Sequence, residues 1–119
     1  MQRKDSIILQ KVLSEIDICF QMLGNSTLEV FLDDEKLKRA VAMTVINIGE
    51  LVKNISDEMR STQKQVPWKQ IAGMRDIAAH KYQTLRMEDV YNTVKVDFPE
   101  LQKQLTAILK ADESTDNKD

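Results

Sequence analysis

Residues 67–82 read PWKQIAGMRDIAAHKY, and the stretch holds the chain's only Trp, Trp68, and its only His, His80. Taken as a helix, it sets Ile71, Met74 and Ala78 at three- and four-residue steps, a stripe that has to be buried against a neighbour. Pro67 suits the first turn, where its missing N–H leaves no bond unmade, and Trp68 is expected to anchor that turn in a core or an interface. Arg75 and His80 fall off the apolar stripe. Five helical steps of about 100° separate them by roughly 140°, so they cannot stack as an i,i+4 pair would, yet both can border one groove near the helix end.

An arginine and a histidine on one groove suit phosphate chemistry. Imidazole accepts or donates a proton near neutrality, whereas guanidinium stays charged and grips phosphate as a planar fork. Such a pair could cleave a phosphodiester without a metal. It could equally be structural, because Asp76 stands four residues before His80 and can hold the ring by an i,i+4 hydrogen bond.

Outward from this stretch the chain reads as all-α. Three Gly, two Pro and abundant Leu, Ile, Lys, Glu and Gln favour helix, and no segment keeps a period-two alternation. A first helix is expected from Asp5 or Ser6, either of which can cap it, to Gly24 and Asn25, burying Ile8, Leu9, Val12, Ile16, Cys19, Phe20 and Leu23. Residues 26–32 read as a connection anchored by Leu28 and Phe31. The longest helix should open at Asp33 or Asp34 and run to about Arg60, with Leu37, Ala40, Val41, Thr44, Val45, Ile48, Val52 and Ile55 as its core stripe. Met43, Ile46 and Leu51 widen its apolar surface beyond one stripe, the mark of a central helix or an oligomer face. Glu50 is either a site carboxylate or a solvated one. Residues 61–66 are a polar linker. A fourth helix is expected over residues 86–96, and Pro99 begins a fifth or a kinked continuation with Leu101, Leu105, Ile108 and Leu109 turned inward.

One hundred and nineteen residues allow a single domain, residues 1–111, followed by a disordered acidic tail, residues 112–119. No apolar run is long enough for a membrane span, and MQRKDS does not open a signal peptide, so the chain is expected in the cytoplasm. A single Cys excludes an intrachain disulfide. One His and one Cys far apart give no spaced metal-ligand set, and no phosphate-cradling glycine pattern occurs, so no metal and no cofactor is expected. Net charge is -2, but residues 53–86 hold seven Lys or Arg against three Asp or Glu, whereas residues 88–119 hold four against eight. The basic half therefore contains the Arg75 to His80 stretch, where Lys81 and Arg86 are candidate RNA contacts.

RDIAAHKY resembles the Arg-x4-His-x-Tyr motif of the HepT-like HEPN proteins that accompany minimal nucleotidyltransferases. Likeness extends to IGELVKNIS at residues 48–56, to PWKQIAGMR, and more diffusely from Arg3 to about Lys110. Lys81 departs from the pattern, standing where many relatives carry Gly or another small residue. The resemblance implies a four- to five-helix up-and-down HEPN-like bundle and a metal-independent endoribonuclease, the toxin of a type VII-like toxin-antitoxin pair. Arg75 and His80 would then be catalytic and Asp76 supporting. A single His per chain suits a homodimer, or a larger assembly, whose composite cleft brings both motifs together. The implied partners are an RNA substrate and a cognate nucleotidyltransferase antitoxin that silences the toxin by transferring AMP to Tyr82. The other reading of the chain is a noncatalytic helical substrate-binding or interaction partner of such a nucleotidyltransferase.

Overall fold

The computed structural model describes the backbone of residues 1–81 and 86–116 and the side chains of residues 1–74 and 86–113. All regular structure in these residues is helical: α1 (Arg3–Leu23), α2 (Leu28–Asp33), α3 (Glu35–Val52), α4 (Asp57–Thr62), α5 (Trp68–Lys81), α6 (Met87–Asn92), a π-helical turn (Thr93–Asp97) and α7 (Phe98–Asp116). The long helices α1, α3, α5 and α7 make an all-α bundle, as the periodicity predicts.

Helix α3 is the centre, packed against both α1 and α5. That position explains its broad apolar surface. Its buried residues are Val41, Ala42, Thr44, Val45, Ile48, Gly49 and Val52, an arc wide enough to face two neighbours. Ala40, expected in the core, is exposed instead, because the buried arc turns toward Ala42. Met43 points outward and is 58 % exposed. From α1 come Leu9, Val12, Ile16, Cys19 and Leu23, all in the core. Gly24 stops α1 in a positive-φ conformation (φ 51°) that a side chain would strain, and its amide donates to the Phe20 carbonyl at 2.8 Å.

Asp5 does not cap α1. It lies inside the helix, buried, and its carboxylate accepts from the Ser56 amide (2.9 Å) and the Ser56 hydroxyl. The same hydroxyl oxygen accepts from the Met59 amide at 3.1 Å, so Ser56 caps α4. This arrangement also breaks the long helix expected to reach Arg60. The chain leaves α3 after Val52, turns, and restarts at Asp57, so that Ile55 and Met59 enter the core by a bend and not by continuing the α3 stripe.

Residues 26–32 are not merely a connection. Thr27 caps α2 by accepting from the Val30 amide, and Phe31 is fully buried against the Tyr91 ring, centroids 5.5 Å apart. Tyr91 donates its hydroxyl to the Ser26 carbonyl at 2.9 Å, and Lys95 donates to the Gly24 carbonyl at 3.0 Å, tying the α1–α2 corner to the far end of the chain.

The segment from Met87 is one kinked rod. A Pro ring at position 99 would clash with the carbonyl four residues back and lacks an N–H for it. The wide turn over Thr93–Asp97 absorbs the misfit, with the Phe98 amide bonded to the Thr93 carbonyl five residues back. Val94, Phe98, Leu101 and Leu105 stay in the core across the turn. Helix α7 runs through Asp116, beyond the Asp112 boundary suggested by composition, and Asp112 accepts an ion pair from the Met1 ammonium at 3.4 Å. No helix among the described residues is long and apolar enough to cross a membrane.

Candidate functional site

Helix α5 carries the Arg75 to His80 stretch, and its start is fixed firmly. Trp68 is 5 % exposed and its indole Nε1 donates to the Gln63 carbonyl at 2.9 Å, which closes the turn before the helix. The Ile71 amide donates to the Pro67 carbonyl (3.1 Å), so Pro67 opens the helix as expected. Ile71 is buried and Met74 packs partly buried on the core, in the stripe anticipated from the sequence. Ala78, the third member of that stripe, lies outside the described side chains.

Arg75, Asp76, His80 and Lys81 fall within the α5 backbone, while their side chains lie outside the described residues, as does the whole of Tyr82. Arg86 is described. It is exposed at the start of α6, and its guanidinium Nη2 lies 3.7 Å from Glu88 Oε2, an exposed pair of little energetic weight. Glu50 lies on an exposed face of α3, along a shallow groove with Lys11, Ser14, Glu15, Asn47 and Leu51.

Two grooves flank the first turn of α5, and Pro67 and Gln70 form the ridge between them. One, of about 540 Å³, has an apolar floor of Ile71, Met74, Phe98 and Leu101 and carries Asp97 and Glu100 on its rim. The other, of about 400 Å³, is lined by Arg60, Lys64 and Lys69 around Val66 and Trp68, with no carboxylate. The sequence shows these cations only as scattered members of a basic half. Their convergence depends on the bend after α3 and on the short helix α4, neither of which the apolar spacing reveals.

Cys19 is packed against the core and takes no part in this region. Burial, aided by the negative charge of Glu15, pushes its thiol up to about 12.

Comparison with known proteins gives a family. Residues 12–108 match the HepT-like family, described as Ribonuclease HepT-like. A protein of Caldanaerobacter subterraneus named "Putative RNase" is 36% identical over 102 residues, covering 86% of this chain and 91% of the relative. Another of that name from Methanocaldococcus jannaschii is 32% identical over 117 residues, 98% of this chain and 97% of the relative. A "Probable ribonuclease HepT" of Thermococcus cleftensis is 29% identical over 110 residues, 92% of this chain and 100% of its own. No solved structure matches the chain significantly. The matched span takes in α3, α5 and the whole RDIAAHKY motif, and on that ground the protein belongs to the HepT-like HEPN ribonuclease family.

Proposed function

We propose that this protein is a metal-independent endoribonuclease that acts in the cytoplasm as the toxin of a type VII-like toxin-antitoxin pair. The observation that carries the reading is the family match running through RDIAAHKY, which sets Arg75 and His80 on one helix, α5, whose first turn is pinned by Trp68. In the proposed reaction the RNA 2′-oxygen attacks the adjacent phosphorus and the 5′-oxygen leaves. One His80 removes the 2′-OH proton or protonates the departing oxygen, and Arg75 holds the phosphate and stabilises its added negative charge. Asp76 orients His80. Lys81 and Arg86 contact the RNA backbone beside the cleft.

A general acid and a general base are both needed, and each chain has one His. A homodimer, the minimal form of the assembly, would bring two copies of the motif around one cleft. Control falls to a minimal nucleotidyltransferase antitoxin. Its reaction joins the Tyr82 phenol oxygen to the α-phosphorus of a nucleoside triphosphate, with loss of the phenolic proton and release of pyrophosphate.

The test is cleavage of RNA by purified, unmodified protein beside H80A and R75A, with and without EDTA. Wild type should leave 2′,3′-cyclic phosphate and 5′-hydroxyl ends with no loss in EDTA, and each variant should lose about 100-fold or more. Cleavage of DNA, which lacks the 2′-OH, at the same rate would overturn the mechanism, as would full activity in folded H80A.

A further inference from the structure

The cationic groove at the α4–α5 corner is a feature that the proposed cleavage site does not use. Lys64 and Lys69 are exposed, and neither has a carboxylate partner among the described residues. Arg60 is half-buried, its Nη2 donates to the Lys53 carbonyl at 3.0 Å, and its Nε has no hydrogen-bond partner among the described residues. Three cations held around the apolar wall of Val66, Pro67 and Trp68, with no carboxylate in the groove's described lining, make a concave surface of positive charge. Across the Pro67 and Gln70 ridge the neighbouring groove carries Asp97 and Glu100 and would repel a polyanion. The two sides of the first turn of α5 are therefore electrostatically opposite, and only one of them can follow a phosphate backbone.

Lys69 and Arg75 stand six residues apart on α5, about 9 Å along the axis at 1.5 Å per residue and about 120° around it. That separation is within a few nucleotides of a single strand. We propose that the Arg60, Lys64 and Lys69 groove is a second RNA contact, an exosite that grips the backbone of single-stranded RNA beside the cleavage motif. The inference rests on the ribonuclease reading for its choice of RNA. Its role is to position: it adds salt-sensitive affinity and sets the direction in which a long strand leaves the cleft, without base readout.

The experiment measures binding of a labelled single-stranded RNA to the full chain carrying H80A, so that nothing is cut, across a range of salt concentrations. Adding K64A and K69A together should weaken binding roughly tenfold and reduce the slope of log K against log salt by about 1.4, two phosphate contacts at about 0.7 each on a single strand. Removing the same charge from exposed α7 positions outside the groove, K103A and K110A, should leave both quantities unchanged. Both double variants alter exposed side chains, and matching helical circular dichroism checks that they fold. Affinity and slope unchanged in K64A/K69A would overturn the exosite, as would an equal loss in K103A/K110A or a complete lack of RNA binding by the H80A chain. Equally tight, Lys64- and Lys69-dependent binding of a poly-glutamate peptide would overturn RNA as the occupant. Groove-dependent RNA binding by a wild-type chain that cuts no RNA would support the exosite while refuting the ribonuclease reading.

Discussion

Asp5 and Ser56 stand 51 positions apart in sequence, and the buried carboxylate of the first accepts from both the backbone amide and the hydroxyl of the second. The contact fastens the N-terminal turn of α1 to the start of α4 and so fixes the bend that follows α3. Asp5→Ala would leave the Ser56 amide without its acceptor, and about 1–3 kcal/mol of unfolding free energy should be lost. Ser56→Ala keeps the amide donor but removes the hydroxyl bond to Asp5 and the α4 cap, the cap alone costing about 1 kcal/mol. Urea unfolding of the two single variants and the double variant should show non-additivity, since both substitutions remove the shared bond between the Ser56 hydroxyl and the Asp5 carboxylate.

Tyr91 is expected to separate two contributions cleanly. Tyr91→Phe keeps the ring against Phe31 but deletes the bond to the Ser26 carbonyl, a loss of about 1 kcal/mol. Tyr91→Ala also removes the ring, and its cost should rise to about 3 kcal/mol or more. Thermal melts of the pair measure the difference, and RNA cleavage at permissive temperature should change in neither.

The Cys19 thiol gives a pH dependence with a definite sign. Its folded pKa is raised, from an ordinary 9.0 to about 12, because burial and Glu15 disfavour the thiolate. Below 9 the thiol is protonated in folded and unfolded chains alike and its contribution is fully present. Between 9 and 12 only the unfolded chain ionises, so stability falls as pH rises, by at most about 1.4 kcal/mol per unit from this group. Cys19→Ala should show a shallower decline over the same window in denaturant titrations. Native protein at pH 8 should react with a thiol reagent no faster than it unfolds.

Tyr82 is the expected control point of the proposed toxin. Attached AMP would set phosphate charge beside Arg75 and compete for the guanidinium through the same charge-assisted bonds that RNA needs. Coexpression with a minimal nucleotidyltransferase of the proposed antitoxin class should add nucleotidyl mass to the Tyr82 peptide in wild type and not in Y82F. Modified protein should keep its helicity and oligomeric state while losing cleavage. Undiminished cleavage by fully modified chains would rule out this form of control.

Much of the bundle was legible because its long helices bury continuous stripes. Ile8 to Leu23 and Val41 to Val52 repeat at helical spacing, and Gly24 supplies a positive-φ stop. The break after Val52 was not legible from spacing, because Ile55 and Met59 continue an apolar rhythm that a straight helix would also satisfy. A local clue did exist, Ser56 followed by Asp57 and Glu58, the signature of a capped helix start. What decides between the two is Asp5, a partner too distant for any local pattern to supply. The proposed site rests on a sequence motif, Arg75 and His80 five residues apart, and of it the structure adds that both positions fall on the α5 backbone. The cationic groove was not legible, since Arg60, Lys64 and Lys69 meet only through the α3–α4 bend.

Because the single Trp sits buried in the first turn of α5 and is bonded to the Gln63 carbonyl, the protein carries its own optical reporter on the helix that matters most. Its emission should lie toward the blue in the folded chain and move to the red when that turn opens to water. Any nucleotide, partner or modification that loosens α5 can therefore be followed in the unlabelled protein, with no other indole to confuse the signal.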